Sequence, residues 1–366
     1  MSDRTKACID ISALHHNYSI AKKYAPNSNI LAMVKSNAYG HGIISIGKIL
    51  TQADGFGVAC FDEAIKLREA GVMTPIVIMS GAFHADDLVL AERFDLQLVV
   101  HDISQIKLLR SSKVTTPLSV WLKIDTGMHR LGFAPEQFKE VYELLANCQK
   151  VKQPIVVMTH LADGDDLQKS TTQQQLDKFA YYLKHLAVLK SVANSAGILA
   201  WPEAIAEWNR PGIMLYGISP MIGKIGADHD LKPVMTLKSK IVAIHDFLKG
   251  DAIGYGGRWT CPDDMRVGIV AIGYGDGYPR HAKNGTPVLI KQKMCSLIGT
   301  VSMDLIAVDL RPLSEVALGE EVILWGKGLP AEIVAKYADT IAYELICQVS
   351  QRVVFNEEQG KLRCEL

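Results

Sequence analysis

Ile30-Leu31-Ala32-Met33-Val34-Lys35-Ser36-Asn37-Ala38-Tyr39-Gly40-His41-Gly42 is a short apolar run that stops at one lysine and breaks into a polar, glycine-bearing loop. A run of that length with turn residues behind it has the pattern of a buried strand. A lysine at such a strand end has two readings. Its ammonium can snorkel into solvent along its own methylene stem. Alternatively, the amine sits partly desolvated at the mouth of a barrel, where it deprotonates easily and can form a Schiff base. The surrounding chain decides between them.

Outward from this stretch, β-rich apolar runs alternate with helical patterns. Residues 30–35 lead to a helix near 44–51, 55–60 to 62–70, 75–79 to 85–94, and 96–100 to 103–109. Residues 118–125 precede 135–147, and 155–160 precede the amphipathic stretch 171–189. Runs at 191–195 and 207–210 complete eight strands, most separated by a helix, which predicts a parallel (β/α)8 TIM barrel. Residues 7–24 read as an additional strand and helix preceding the first barrel strand. After about Gly217 the texture changes. Residues 233–247, 265–272, 286–290, 295–298, 306–310 and 321–324 are β-branched runs cut by glycine, proline and acidic turns. Helical periodicity returns only near 331–337, so a second, mostly antiparallel β domain is expected. The fold class is α/β plus β, with the barrel over 1–225 and the β domain over 226–366, joined by a connector near 220–232.

The totals narrow the partners. With 39 basic and 39 acidic side chains there is no global field to draw nucleic acid or an anionic membrane surface. A small neutral or zwitterionic substrate suits that balance. Seven cysteines (8, 60, 148, 261, 295, 347 and 364) are odd in number, scattered and free of CxxC pairs. That argues against a disulfide framework or zinc site and for a reducing compartment. Met1-Ser2-Asp3-Arg4-Thr5-Lys6-Ala7-Cys8 has no apolar signal core, and no run approaches the roughly 20 apolar residues that span a bilayer. A cytoplasmic protein without a metal is the expectation.

A barrel carries its chemistry at the carboxyl ends of its strands. There the sequence places Lys35, Lys123 with Asp125, His160, Asn194-Ser195 and Arg210. Ser195-Ala196-Gly197 and Arg210-Pro211-Gly212-Ile213 follow the seventh and eighth strands, where many barrels hold a phosphate on backbone amides and a hydroxyl. A lysine amine beside a phosphate cradle is the pair that pyridoxal phosphate needs. Taken singly, Ser195 and Gly212 read equally well as turn residues, and His160 as a hydrogen-bonded core histidine. No GxSxG is present, and Gly55-Phe56-Gly57 lacks the third glycine of a dinucleotide fingerprint.

Val34-Lys35-Ser36-Asn37-Ala38-Tyr39-Gly40-His41-Gly42 resembles the cofactor-attachment motif of alanine racemases, and the resemblance runs the length of the chain. Lys123-Ile124-Asp125-Thr126-Gly127-Met128-His129-Arg130-Leu131-Gly132, Asn194-Ser195-Ala196-Gly197 and Arg210-Pro211-Gly212-Ile213 are similar to further family motifs. So are Gly254-Tyr255-Gly256, Gly273-Tyr274-Gly275-Asp276-Gly277-Tyr278-Pro279-Arg280, Ser302-Met303-Asp304 and Tyr343-Glu344, in the family's order.

The resemblance implies a homodimeric, pyridoxal 5'-phosphate-dependent isomerase that interconverts L- and D-alanine and supplies D-alanine for bacterial peptidoglycan. It implies Lys35 as the cofactor's attachment point and one of two opposed bases, with Tyr255 of the partner subunit as the other. Tyr39, Ser195, Gly212, Ile213 and Tyr343 are implied at the phosphate, with Asn194 beside them. Arg210 is implied at the pyridine nitrogen, His160 between Tyr255 and Arg210, and Arg130 at the phenolic oxygen. Met303, through its backbone amide, and Tyr274 are implied at the partner's substrate entrance. Lys123 is implied to be carbamylated and to orient Arg130.

Two bases on opposite faces suit a reaction that removes the Cα proton from one side and returns one on the other. A free phenol titrates near about 10, so a tyrosine base needs neighbouring positive charge or donated hydrogen bonds. Thr300 and Ser302 depart from the family pattern, which often has arginine and cysteine there. Tyr255 between two glycines sets the chain apart from fold-related decarboxylases, which use a cysteine. A domain of about 140 residues after the barrel sets it apart from simple cofactor carriers.

Overall fold

The computed structural model describes residues 4–358; Met1-Ser2-Asp3, Cys364 and the end of the 226–366 segment lie outside the described residues. Two compact units divide the chain. One comprises Tyr18–Leu215 with Pro220–Lys224. The other gathers the described residues up to Asn17, Tyr216–Ser219 and the chain from Ile225 onward.

The first unit is a closed barrel of eight strands: Asn29–Met33, Gly55–Val58, Ile76–Ile78, Leu96–Val100, Leu118–Lys123, Val151–Met158, Leu189–Ser191 and Trp208–Asn209. Every neighbouring pair is parallel, and the last strand closes on the first through Asn29↔Trp208 and Ile30↔Asn209. Parallel strands are covered on both faces, so they read as unbroken apolar runs rather than alternating ones. Ile76–Ile78 and Gly55–Val58 are buried throughout. Inside the barrel, Trp121 meets Trp208 edge-on at 5.3 Å, and its indole N–H donates to Gln97 at 2.8 Å.

The seventh strand differs from its expectation at 191–195. It ends at Ser191, and Asn194 instead caps the helix Ser195–Ala200 by accepting the Gly197 N–H at 3.0 Å. An asparagine gains more by satisfying an orphan helix N–H than by continuing a strand. Likewise the helix expected over 171–189 is Thr171–Leu183, and residues from Leu189 belong to the strand.

The second unit is an eight-stranded sheet in the order Met265–Val270, Ile306–Asp309, Lys293–Ile298, Pro287–Ile290, Glu321–Trp325, Met235–Phe247, Lys6–Asp10, Val354–Glu358. Met265–Val270 also pairs with the long strand Met235–Phe247, so the first six strands form a ring. All pairs are antiparallel except Lys6–Asp10 with Val354–Glu358. The opening strand, which precedes the barrel in sequence, is thus a member of this sheet, paired through Lys6↔Lys238 and Cys8↔Thr236. A short ribbon, Ala252–Ile253 with Trp259–Thr260, packs Ile253 into a cluster with Cys261, Met265, Val267 and Ile298. Burial of each such side chain contributes about 1.5–3 kcal/mol. No helix among the described residues is long and apolar enough to cross a membrane.

Candidate active site

Lys35 opens a turn with unusual handedness. Ser36, Asn37, Ala38 and Tyr39 all have φ between +51° and +55°, one turn of left-handed helix built without glycine. Each such residue costs about 1–2 kcal/mol, so the turn must be held. Ala38 N–H donates to Val34 at 2.8 Å and Gly40 N–H to Ser36 at 2.9 Å. Asn37 accepts the Ile43 N–H on its side chain at 2.9 Å. Glu63, from the helix Phe61–Glu69 after the second barrel strand, accepts Asn37 N–H at 3.2 Å and Ala59 N–H at 2.8 Å. The turn keeps Lys35 and Tyr39 together at the carboxyl end of the first barrel strand.

Around Lys35 the barrel mouth collects positive charge. Arg210 is only 2% exposed, and burial pulls its pKa down to about 10. Its Nη1 donates to Ser191 Oγ at 2.6 Å, and its Nη2 to the Thr159 and Val192 carbonyls at 2.7 and 3.1 Å. The same Nη2 lies 3.3 Å from His160 Nδ1. An arginine only donates, so Nδ1 is the acceptor and the ring proton resides on Nε2. Burial, then Arg210, Lys123, Arg130 and Lys35, hold His160 well below the ordinary histidine range. It is a neutral imidazole.

Lys123, 6% exposed at the end of its strand, is lowered to about 8 by burial and then by Arg210 and Arg130, with Asp125 opposing and Lys35 adding. Asp125 folds the loop that follows by accepting the N–H groups of Gly127 and His129, both at 3.0 Å. The loop returns to its own strand through Asp125 N–H to Phe133 and Phe133 N–H to Lys123, at 2.9 and 3.0 Å. A side chain at Gly132 (φ +133°) would sit 2.7 Å from the Asp125 nitrogen, so only glycine lets the loop close. Arg130 is exposed on that loop, yet near enough to depress Lys123 and His160.

On the other side of the mouth, Ser195 Oγ accepts the N–H groups of Gly212 and Met214 at 2.8 and 3.3 Å. Ile213 follows in the buried 3-10 turn Ile213–Tyr216. A Cβ on Gly212 would lie 2.5 Å from Tyr39 Oη, so the missing side chain lets the phenol reach these amides. Four cations (Lys35, Lys123, Arg130, Arg210) face one carboxylate, Asp125, beside a cradle of hydroxyls and amides. A small, multiply charged anion answers that imbalance.

In the β unit, Tyr255 lies in the turn that joins the two strands of the short ribbon and is 73% exposed. Thr300 donates its hydroxyl to the Tyr255 carbonyl at 3.3 Å. The same loop continues to Met303, whose carbonyl accepts Gly275 N–H at 2.9 Å, while Ser302 accepts Tyr274 N–H at 3.0 Å. Tyr255, Met303 and Tyr274 therefore sit on three adjoining loops with large exposed side chains. Tyr343 is half-buried in the helix Ala342–Cys347 of this unit. Arg352 pins Asp304 at 2.5 Å and Arg4 pins Asp276 at 2.6 Å, bracing these loops from below. Sequence patterns alone do not reveal Glu63, Gln175, Ser191 and Arg352. No local pattern marks them, because each acts on residues far along the chain.

A closed parallel barrel with its charged side chains at the strands' carboxyl ends, continued by a β unit with exposed aromatic loops, defines a barrel enzyme of two domains. Residues 9–220 match the family model for the alanine racemase N-terminal domain, and residues 234–356 that for the alanine racemase C-terminal domain. An alanine racemase of Coxiella burnetii is 50% identical over 360 residues, 97% of this chain and 99% of that protein. One from Aeromonas hydrophila is 46% identical over 347 residues, 95% of this chain and 97% of that protein. The crystal structure of the biosynthetic alanine racemase from Pseudomonas aeruginosa superimposes with a TM-score of 0.95 at 39% identity, covering 98% of this chain and 100% of that one. The chain belongs to the alanine racemase family and is an amino acid racemase, an isomerase.

Proposed function

We propose that the chain interconverts L- and D-alanine with pyridoxal 5'-phosphate, as a cytoplasmic homodimer in which each barrel is completed by Tyr255 of the partner subunit, and that it supplies D-alanine for peptidoglycan. The observation that carries the cofactor reading is the barrel mouth, where the Lys35 amine, Arg130, Arg210 and the Tyr39–Ser195–Gly212 cradle surround a neutral histidine. These residues fit the group. Lys35 would bind its aldehyde carbon, Tyr39, Ser195, Gly212, Ile213 and Tyr343 its phosphate, Arg210 its ring nitrogen and Arg130 its phenolic oxygen, with Asn194 fixing the Ser195 turn. When bound, the cofactor makes the Cα proton of an attached amino acid acidic enough to exchange.

The chain's own groups do the rest. The Lys35 amine and the Tyr255 phenol of the partner subunit face opposite sides of Cα; one takes a proton and the other returns one, with roles exchanged in the reverse direction. His160, carrying its proton on Nε2, donates toward Tyr255 and receives from Arg210 on Nδ1, which supports the phenolate. Arg210 keeps its own proton and leaves the ring nitrogen unprotonated, which shortens the time Cα spends without a proton and limits protonation elsewhere. Met303 offers a backbone N–H to the substrate carboxylate, and Tyr274 lines the entrance. The amine of Lys123, neutral in part near pH 8, adds to carbon dioxide. A nitrogen–carbon bond forms, a proton leaves, and the resulting carbamate anion orients Arg130. L-Alanine in deuterated water is expected to become a mixture of both enantiomers labelled at Cα, and a panel of larger amino acids measures specificity. Formation of no D-alanine contradicts the reading.

A further inference from the structure

Behind His160 and Arg210 lies a second polar layer, fully buried, to which the chemistry above assigns nothing. Gln175 is 1% exposed on the helix Thr171–Leu183 and turns its carboxamide inward to the barrel mouth. Its Oε1 accepts Ala162 N–H at 2.8 Å, and its Nε2 donates to the His160 carbonyl at 2.9 Å and the Thr126 hydroxyl at 3.3 Å. These partners fix the amide's orientation, because an N–H only donates and a carbonyl only accepts. Thr126 Oγ1 lies 2.8 Å from Thr159 Oγ1. The Thr159 carbonyl accepts Arg210 Nη2, and its N–H donates to the Ser191 carbonyl at 3.1 Å. Ser191 Oγ in turn accepts Arg210 Nη1.

One side chain thus bridges two strand ends directly, those preceding Thr126 and His160, and reaches a third, that preceding Val192, through Thr126 and Thr159. A plain structural plug has only to satisfy Ala162 N–H and the His160 carbonyl. The link through Thr126 and Thr159 goes further, to the carbonyl that holds Arg210, and the backbone bond at His160 sets where the imidazole stands. We propose that Gln175 is a positioning residue: with Thr126 and Thr159 it holds His160 and Arg210 in the one alignment in which Arg210 donates to Nδ1 and the imidazole proton stays on Nε2. The inference rests on the reading of His160 and Arg210 as active-site groups and adds what keeps them in register.

The test uses the full-length protein labelled with 15N-histidine, with the His160 signals assigned by their loss in His160→Gln. Wild type is expected to show the Nε2–H tautomer alone. Gln175→Met, of similar length but without the hydrogen bonds, is expected to show both tautomers and to retain bound cofactor by its visible absorbance. Its KM should be unchanged, while kcat falls about tenfold to a hundredfold, the scale of a small misplacement of catalytic groups. Gln175→Met leaves a buried N–H and carbonyl unpaired; should it fail to fold, Thr126→Val, which removes the hydroxyl's contacts with Gln175 and Thr159 but leaves the bonds of Gln175 to Ala162 and His160, is expected to shift the tautomer and kcat in the same direction. A single Nε2–H tautomer with wild-type kcat in the folded variant overturns the proposal. Arg210→Lys is the control. A changed tautomer and rate in Arg210→Lys beside an unchanged Gln175 variant rejects the positioning role alone, whereas no change in either rejects the reading of the site.

Discussion

At the scale of single residues, burial decides the chemistry of the barrel mouth. Lys123 is buried near Arg210 and Arg130 and titrates near 8, so a usable fraction of its amine is neutral at physiological pH. Protein equilibrated with 13C-bicarbonate is expected to give one carbamate resonance that disappears in Lys123→Ala and on denaturation; its absence in the native wild type rejects the modification. Lys35→Ala is expected to lose the visible absorbance of bound cofactor. Tyr255→Phe should keep that absorbance and lose racemisation in both directions by at least about a hundredfold, the scale of a general base. A Tyr255→Phe variant that racemises one enantiomer normally contradicts its role as one of two bases. Lys35, His160 and Arg210 were legible in the sequence because each ends a strand-like run, and strand ends are where a barrel places polar groups. Gln175 was not: one glutamine among three on a helix looks like part of a solvated face.

Among the elements of the described residues, the left-handed turn after the first barrel strand carries the longest run of non-glycine residues at positive φ. The sequence marks a loop there through Gly40 and Gly42, but four non-glycine residues at positive φ leave no signature of their own, since they are held by the Asn37 N–H bond to Glu63 and by the N–H groups of Gly40 and Gly42 donating to Ser36 and Asn37. Ser36 is exposed, so a change there tests the backbone alone. Ser36→Gly is expected to stabilise the protein by about 0.5–1 kcal/mol in urea titrations, the relief of left-handed strain less the extra entropy of an unfolded glycine. Loss of stability would show that the hydroxyl, not the backbone, matters at this position. The seventh strand teaches a related lesson. Asn194 and Ser195 lie beyond the strand end because the capping bond to Gly197 begins a helix, and that competition between cap and strand is invisible to an alternation of apolar residues.

For the whole molecule, the order of strands and helices was legible because the periodicity changes from mixed to mostly β after the barrel. The membership of Lys6–Asp10 in the second sheet was not, since its partner strands begin more than 200 residues later. Two buried histidines also give the fold a pH dependence. Burial lowers His41 to about 4 and holds His160 well below its ordinary range. As pH falls through about 6.5 the unfolded chain takes up protons that the native state refuses, so stability declines from there toward pH 4, and His41 alone accounts for about 2 kcal/mol by pH 5. Urea midpoints at pH 7, 6 and 5 are expected to fall in that order; a flat series contradicts it.

The claim on which the account depends is that Lys35 and Tyr255 acting on one substrate come from different copies of the chain. Lys35→Ala and Tyr255→Phe, each inactive alone, are mixed, dissociated and allowed to reassociate. Half of the dimers are then mixed, and by two-fold symmetry each mixed dimer holds one site with both residues intact. Racemisation is predicted to return to about one quarter of the wild-type rate, because about one site in four is restored. A mixture that stays as inactive as its components, although mixed dimers form, contradicts the shared site.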